Sequence, residues 1–510
     1  MAGRMHAQVM VVGGGPVGLL VAAELAAQGV DTVVLESGAA VSERPKATTL
    51  HARAVQCLAR RGYFLAPLFR PVGRTATMPF HFAGIPGLSI TAPETEPDPI
   101  LKFPQVELER LFEGRARSNG ARVLREHRVT DMVQGRDGVR VTAQGPQGRR
   151  TFTAAYVVGA DGARSTVREM AGIASGVSSP TMSAMMGLVR IPDDQAVPVG
   201  WHRTPEGWLI VKNGSGGRTL IHTLACGDAS SSRHLPVTLD ELSGEVSRIA
   251  GHGITMTDPR WLSRFSDFTR LARTYRAGRF FLAGDAAHVH FPIGGQGLST
   301  GVLDALNLSW KLALVVRGAA ADKLLDTYGP ERRPAAQRVI DNTRAQVALM
   351  RPGTELDSLR MLLTGLLESG GGNDFLGGMI SAQDTVLPTG PRHRSPWEGT
   401  FLHNIELTTA RGPSDVIGLL GESGEPLLLL FGDGAGCYAD TARAWARSLH
   451  VVRCLPTRAV PCSALLVRPD GYVAWASDGG GPLAGALAAF FGTDTGPGPV
   501  SVRAPERVPA

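Results

Sequence analysis

Lysine is nearly missing from this chain: only five of its 52 basic residues are lysines (46, 102, 212, 311 and 323), which leaves 47 arginines. The skew reads as a GC-rich coding bias. A net charge of +6 would suit a nucleic-acid partner, but the arginines occur in nothing longer than pairs such as Arg60-Arg61 and Arg332-Arg333, with no aromatics interleaved. Binding a single strand needs a basic groove and stacking faces together, so no nucleic-acid partner is expected. Cysteine is scarce too. Its five residues (57, 226, 437, 454 and 462) are odd in number and form no CxxC and no ligand spacing with histidine. That argues against a disulfide framework and a metal site, and fits a reducing, cytoplasmic setting. No apolar run reaches the roughly 18 residues of a membrane helix. The apolar N-terminus is broken by Gly13-Gly14-Gly15-Pro16 with no cleavage-site pattern. A soluble, unprocessed protein without a membrane partner is expected.

What the chain does have is apolar substance: 43% hydrophobic against 19% charged residues, with 63 Gly and 34 Pro, short of low-complexity composition. Its length suggests about three domains at the usual size of roughly 150 residues. Residues 7 to 36 read as strand, glycine turn, helix, strand. AQVMVV and DTVVLE are the near-continuous apolar runs of a parallel sheet covered on both faces. RRTFTAAYVVGAD and GRFFLAGDAA look like further strands of that sheet, each ending in an acidic turn. Between 180 and 275 the pattern changes to short alternating runs (MMGLVRI, GWLIVKN, RTLIHTLA) separated by polar turns, as in an antiparallel sheet. Residues 295 to 350 read as helical, with Leu298, Val302, Ala305, Leu306, Leu308, Leu312 and Val315 on a broad apolar face. The expected plan is a dinucleotide-binding domain over 1–178 to which 276–350 return, a sheet domain over 179–275 joined by 75–103, a helical linker over 351–395, and a C-terminal α/β domain over 396–510 with strands near 426–431, 449–454 and 464–476.

The chemistry concentrates at three turns. Gly13, Gly15 and Gly18 follow the first strand and open a helix, with Pro16 and Val17 between them, and Glu36 ends the next strand. Such glycines permit a tight turn and close approach of a pyrophosphate, the helix N-terminus attracts its charge, and the acid accepts ribose hydroxyls. Gly159-Ala160-Asp161-Gly162-Ala163-Arg164-Ser165 closes one later strand and Gly284-Asp285-Ala286-Ala287-His288 another, followed by Pro292 and Gly294-Gly295-Gln296-Gly297. An acid at a strand end, Asp161 or Asp285, suits the ribityl polyol that FAD has and NAD lacks. The glycine-rich helix start offers N–H groups to negative charge on a reduced flavin. Gly434-x-Gly436-x-x-Ala439 is a decoy, because no acid or arginine pair ends a matching second strand.

GGGPVGLLVAAELAAQG, GADGARSTVR and GDAAHVHFPIGGQGLSTGVLDALNLSWKLA, in that order across residues 9–317, resemble the three fingerprints of the group A FAD-dependent aromatic monooxygenases related to para-hydroxybenzoate hydroxylase. The length and the added C-terminal module resemble the subgroup of aromatic polyketide hydroxylases and rifampicin monooxygenase. The resemblance implies an α/β fold: a Rossmann-like FAD-binding domain, an antiparallel-sheet substrate domain and a thioredoxin-like C-terminal domain, redox-inactive in keeping with the missing CxxC. It implies bound FAD, NADPH or NADH as a transient reductant without its own Rossmann site, and O2. The substrate it implies is a phenolic, polycyclic polyketide, hydroxylated through a C4a-hydroperoxyflavin with little demand on side chains.

By position, Arg44 and Arg53 match segments that contact FAD and line the path of a mobile flavin ring. Gln105 matches a glutamine that bonds the flavin chain, and Val129 joins the cofactor contacts. Asp161 is linked to FAD and reductant, with Arg164 and Arg168 beside it; Asp285 matches the ribityl acid, and Pro292, Gly295, Gly297 and Leu298 the wall beside the ring. Ser299 stands where the family usually has Asn, and Leu303 where Gln is common. No side chain is forced as a catalyst; Arg44, His288 and Pro292 are the candidates. Phe80, His81, Phe82, Met185, Trp201, Trp208, His222 and Phe291 are the candidate substrate lining, with His290 near the flavin. Baeyer–Villiger oxygenation of a polyketide ketone and inactivation of an aromatic antibiotic are the alternative outcomes. A flavin halogenase is set aside, since only Trp208-Leu-Ile stands where that class carries WxWxIP. The intact turns disfavour a flavin-holding protein without turnover, and both a monomer and a homodimer remain open.

Overall fold

The computed structural model describes residues 5–44, 46–64, 76–225, 235–389, 395–446 and 448–492. Cys226, part of the 388–397 boundary and residues 493–510 of the expected C-terminal domain lie outside them. Met5–Val12 pairs in parallel with Thr32–Leu35 on one side and Gly148–Gly159 on the other, and Arg122–Leu124 and Phe280–Leu282 continue the parallel sheet outward. Val9, Val11, Val33, Val157 and Phe281 are fully buried there, which is why these strands are apolar throughout rather than alternating. The helix Pro16–Ala27 is buried from Gly18 to Ala26, because the long helix Gln296–Val316 shares the same core. A helix covered on both sides needs no polar face.

A second sheet of five antiparallel strands runs in the order Gly200–Thr204, Gly207–Asn213, Thr219–Ala225, Ser183–Arg190, Thr257–Ser266. One face is sealed by the helix Leu239–Ala250, which was not expected from the alternating pattern of 180–275. Thr238 caps its start by accepting from Glu241 N, and Gly251 ends it at φ +77°; Leu242, Val246 and Ile249 pack on Met185, Leu209, Val211 and Ile221. The hairpin Ala76–Phe82 and Ile85–Ala92 shares a core with this sheet and with the helices Asp357–Glu368 and Asn373–Ser381. Residues 295–350 form two helices, Gln296–Val316 and Tyr328–Leu349.

The C-terminal sheet has six strands around Leu427–Phe431, which pairs in parallel with His450–Cys454 and antiparallel with Ala464–Val467. The run expected as one strand over 464–476 is a hairpin, Ala464–Val467 and Val473–Ala476, broken at Gly471 (φ +86°). Among the described residues, no helix is long and apolar enough to cross a membrane.

Candidate functional site

Parallel pairing puts the carboxyl ends of the first sheet's strands on one side, and a single cavity of about 950 Å³ begins there. Ligands of such sheets bind at the turns outside these ends. Gly13 sits at φ +107°, and a Cβ on it would stand 2.4 Å from the Ala160 carbonyl oxygen; only glycine lets the two strand ends meet. Gly18 does not face the cavity: its Cβ would stand 2.0 Å from Gly13 O, so it closes the helix onto the turn. Gly15 is different. It is the N-cap of Pro16–Ala27 with no side-chain cap, and nothing lies within 4 Å of where its Cβ would be. A free helix N-terminus opening on unfilled space is what a phosphate requires. Glu36 accepts from Gly14 N and from Gly38 N, each at 2.5 Å.

Asp161 accepts from Val167 N at 3.1 Å through one oxygen, while the other is buried without a partner, and burial raises its carboxyl above the ordinary range. Asp285 opens into the cavity, where enclosure by the protein raises its carboxyl as well. The two turns are tied together: Arg168 donates to Ala286 O at 2.9 Å and to Ala163 O at 3.2 Å. Behind Asp285, Asp304 accepts from Gly284 N at 3.1 Å and from Arg332 at 2.8 Å, and its carboxylate lies 2.7 Å from His288 Nε2. His288, a candidate catalyst from the sequence, is therefore buried behind the turn and does not line the cavity. Gly294 (φ +75°) and Gly295 (φ +65°) lead into Gln296–Val316, whose N-terminus also lacks a side-chain cap. Ser299 accepts from His51 N at 3.0 Å, which turns it toward a neighbouring strand, and Leu303 is buried.

The second sheet forms the opposite wall. Register places Trp201, Ile210, His222, Met186 and Ser263 side by side, one from each strand, and all five line the cavity. Met185, expected here from the sequence, points to the other face and packs on the helix Leu239–Ala250; its neighbour Met186 takes the position, because one residue along a strand reverses the face. Phe82 and Trp208 lie one layer deeper in the core, with Trp208 Nε1 donating to Met350 O at 2.8 Å. Phe80, His81, Phe291 and Pro292 line the cavity, as do Pro16, Val17, Gln105, Val129, Arg164, Gly297 and Leu298.

Two arginines stand elsewhere. Arg53 is buried with its guanidinium 3.7 Å from the centre of the Phe401 ring and donates to Gln383 O at 2.7 Å; it fastens the C-terminal domain. Arg44 is exposed and outside the lining, which Lys46 enters instead. Lys46, Lys102, Lys212, Met186, Trp261 and Phe265 line the cavity without having been singled out from the sequence. The alternation of the strands was the available signal for Met186. Burial, helped by Lys212, lowers His222 to about 3 and His81 to about 4. Burial likewise lowers His290 to about 4. The chamber histidines are neutral at physiological pH.

Residues 6–343 match the family profile described as FAD binding domain, and residues 395–494 the one described as aromatic-ring hydroxylase, C-terminal. The chain belongs to the FAD-binding aromatic-ring hydroxylase family. This flavoprotein monooxygenase is 37% identical over 513 residues to the 12-dehydrotetracycline 5-monooxygenase/anhydrotetracycline 6-monooxygenase of Streptomyces rimosus, covering 96% of this chain and 99% of that one. It is 37% identical over 490 residues to the rifampicin monooxygenase of Rhodococcus hoagii (95% and 98% covered), and 37% over 493 residues to the dialkyldecalin synthase of Streptomyces rugosporus (96% and 99%). The solved anhydrotetracycline hydroxylase from Streptomyces rimosus matches the monooxygenase with a TM-score of 0.86 at 35% identity, covering 96% of this chain and 100% of that one.

Proposed function

We propose that the monooxygenase holds FAD along the three glycine and acid turns and hydroxylates a polycyclic aromatic polyketide in the chamber beyond them, with NADPH or NADH as electron donor. The observation that carries this reading is continuity: one cavity of about 950 Å³ runs from Gly15 and Glu36 to Trp201 and His222, near the top of the range of roughly 300–1,000 Å³ for small-molecule sites. The residues fit the cofactor. Gly15 leaves room at a free helix N-terminus for the pyrophosphate, Glu36 stands where a ribose would be, and Asp161 keeps an unpartnered buried oxygen. Asp285 would accept from the hydroxyls of the ribityl chain, and the uncapped start of Gln296–Val316 would favour negative charge on the bound ring. FAD, when bound, supplies hydride acceptance and activation of dioxygen. The protein supplies a chamber in which Phe80, Trp201, Trp261 and Phe265 would hold a flat aromatic and displace water from its faces, while neutral His81, His222 and His290 offer hydrogen bonds. A thioredoxin-like C-terminal domain and a cytoplasmic setting belong to the same proposal.

Asp285→Ala and Glu36→Ala each remove a charged acceptor, and each is expected to weaken FAD by about 1.5–3 kcal/mol, read by fluorescence titration; wild-type affinity would remove the assigned contact. Met186→Ala is expected to raise KM for the aromatic substrate with little change in stability, whereas Met185→Ala leaves KM alone and costs about 2–5 kcal/mol of stability, measured by steady-state kinetics and denaturation. The proposal itself is tested by NAD(P)H consumption of the FAD-loaded protein with and without a polycyclic phenol under isotopically labelled oxygen. Label in a ring hydroxyl supports it, and label in an ester marks a Baeyer–Villiger outcome. No stimulated consumption overturns it and turns attention to the kind of chemistry named for the dialkyldecalin synthase.

A further inference from the structure

In a chain where arginine outnumbers lysine so heavily, three of the five lysines, Lys46, Lys102 and Lys212, line this one cavity. Two of them belong to the chamber end. Lys212 stands two residues beyond Ile210 on the strand Gly207–Asn213 and so shares its face; among the described residues it forms no ion pair. Lys102, at the end of Ile100–Lys102, donates to Thr49 Oγ1 at 2.9 Å, and among the described residues it forms no ion pair. The acids of the cavity lining are Glu36, Asp161 and Asp285, all on turns of the parallel sheet. Among the described residues, the histidines that face the two lysines are His222 from Thr219–Ala225, His81 from Ala76–Phe82, and His51 from Thr49–His51. Burial pulls both ammonium groups below the ordinary lysine range, and Lys212 depresses Lys102 further.

Both lysines stay exposed on the cavity wall, and a positive field there with no acid beside it favours a ligand that brings the missing charge. Arginine is the usual cation of this chain, so lysine at both positions places compact point charges, suited to a single oxygen, where forked donors would be expected. We infer that Lys212 and Lys102 form an oxyanion-recognition pair, so that the substrate binds as an anion, through an ionised phenol or enol or through a carboxylate, and that this pair separates ionised from neutral polycyclic aromatics. The inference rests on the reading of the chamber as the substrate site. It adds the charge state of the substrate and the residues that select it.

The test is calorimetric titration of the FAD-loaded protein at pH 8 with two matched pairs of probes: alizarin and its dimethyl ether, and anthraquinone-2-carboxylate and its carboxamide. The wild type is expected to bind at least one anion about tenfold or more tighter than its neutral partner, and the pair that shows the preference tells phenolate from carboxylate. Lys212→Met and Lys102→Met are expected to lose most of that preference while binding the neutral probes as before, and Lys212→Arg to keep it, with flavin content and circular dichroism unchanged in all three. Equal affinity within both pairs in the wild type overturns the inference and leaves the chamber reading standing. So does a preference that survives both methionine variants, or a methionine variant that loses neutral and anionic probes alike. Failure of all four probes to bind the wild type overturns the chamber reading, and the lysine pair with it.

Discussion

Gly13→Ala is expected to give colourless protein that takes up no FAD on titration, while Gly15→Ala folds as well as the wild type and still binds FAD about tenfold or more weakly. At Gly13 the backbone sits at φ +107°, and an added Cβ would meet Ala160 O at 2.4 Å and Asp161 Cα at 2.9 Å. These are backbone atoms, so the strand ends themselves must part. The left-handed conformation costs roughly 1–2 kcal/mol and the overpacking a further 1–3 kcal/mol or so, and the displacement carries Asp161 out of place with Gly13. At Gly15 nothing within 4 Å obstructs a methyl group, and its φ of −79° is ordinary. Its cost appears only when a ligand competes for the space, as overpacking of about 1–3 kcal/mol. The ratio of flavin to protein absorbance, a FAD titration and thermal unfolding separate the two. A flavin-replete Gly13→Ala protein, or a Gly15→Ala protein with wild-type FAD affinity, would displace the cofactor from this turn.

Glu331→Ala is expected to lower stability by about 3–5 kcal/mol, as removal of one partner from a buried ion pair does. Glu331 accepts from Arg468 at 2.9 and 2.7 Å, from Lys311 at 2.7 Å and from Asn307 at 2.7 Å. Arg468 belongs to the turn of the C-terminal hairpin, where it also pairs with Asp470 at 2.7 Å; Lys311 and Asn307 belong to the helix Gln296–Val316, which starts at the cavity. The truncation leaves Lys311 without its carboxylate and Arg468 with Asp470 alone, and both remain buried. Burial by itself would raise the Glu331 carboxyl; Arg468 and Lys311 override it and hold it far below the ordinary range. Burial lowers Lys311 to about 8 even so, with the like charge of Arg468 adding to the effect and Glu331 opposing it.

Glu96 follows the same logic: burial is overridden by Arg60, which holds it at about 2. Because these carboxyls are lowered in the fold, their contribution is complete above the unfolded value of about 4.5 and is lost as pH falls from there toward 2. Chemical denaturation from pH 7 down to pH 3 is expected to show a steep acid limb that Glu331→Ala flattens. An unchanged midpoint at pH 7 would show that the interface carries little of the stability.

Much of the glycine and acid end of the cavity was legible because its constraints are local. Gly13, Gly15, Glu36, Asp161 and Asp285 each sit at the end of an apolar run, and spacing within a few residues announces a turn that needs them. The chamber end depended on relations between strands. Met185 and Met186 are equally suited to a strand, and only the docking of Leu239–Ala250 on one face decides which of them meets the cavity. Arg53 follows Glu36 by a distance that fits a cofactor contact, yet the rings of Phe401 and Tyr472, more than three hundred residues away, claim its guanidinium.

The sequence by itself determined a parallel sheet with glycine and acid turns at its strand ends, an antiparallel sheet after it, and a terminal module without a redox cysteine pair. These follow from hydrophobic period and backbone sterics, which act over a few residues. Tertiary structure alone decided which face of the second sheet the cavity meets, that His288 serves Asp304 rather than the chamber, and that Lys102 and Lys212 enter the same cavity away from its three acids. Burial and pairing between distant segments set those outcomes, and no local pattern encodes the energy of a contact whose partner lies in another domain.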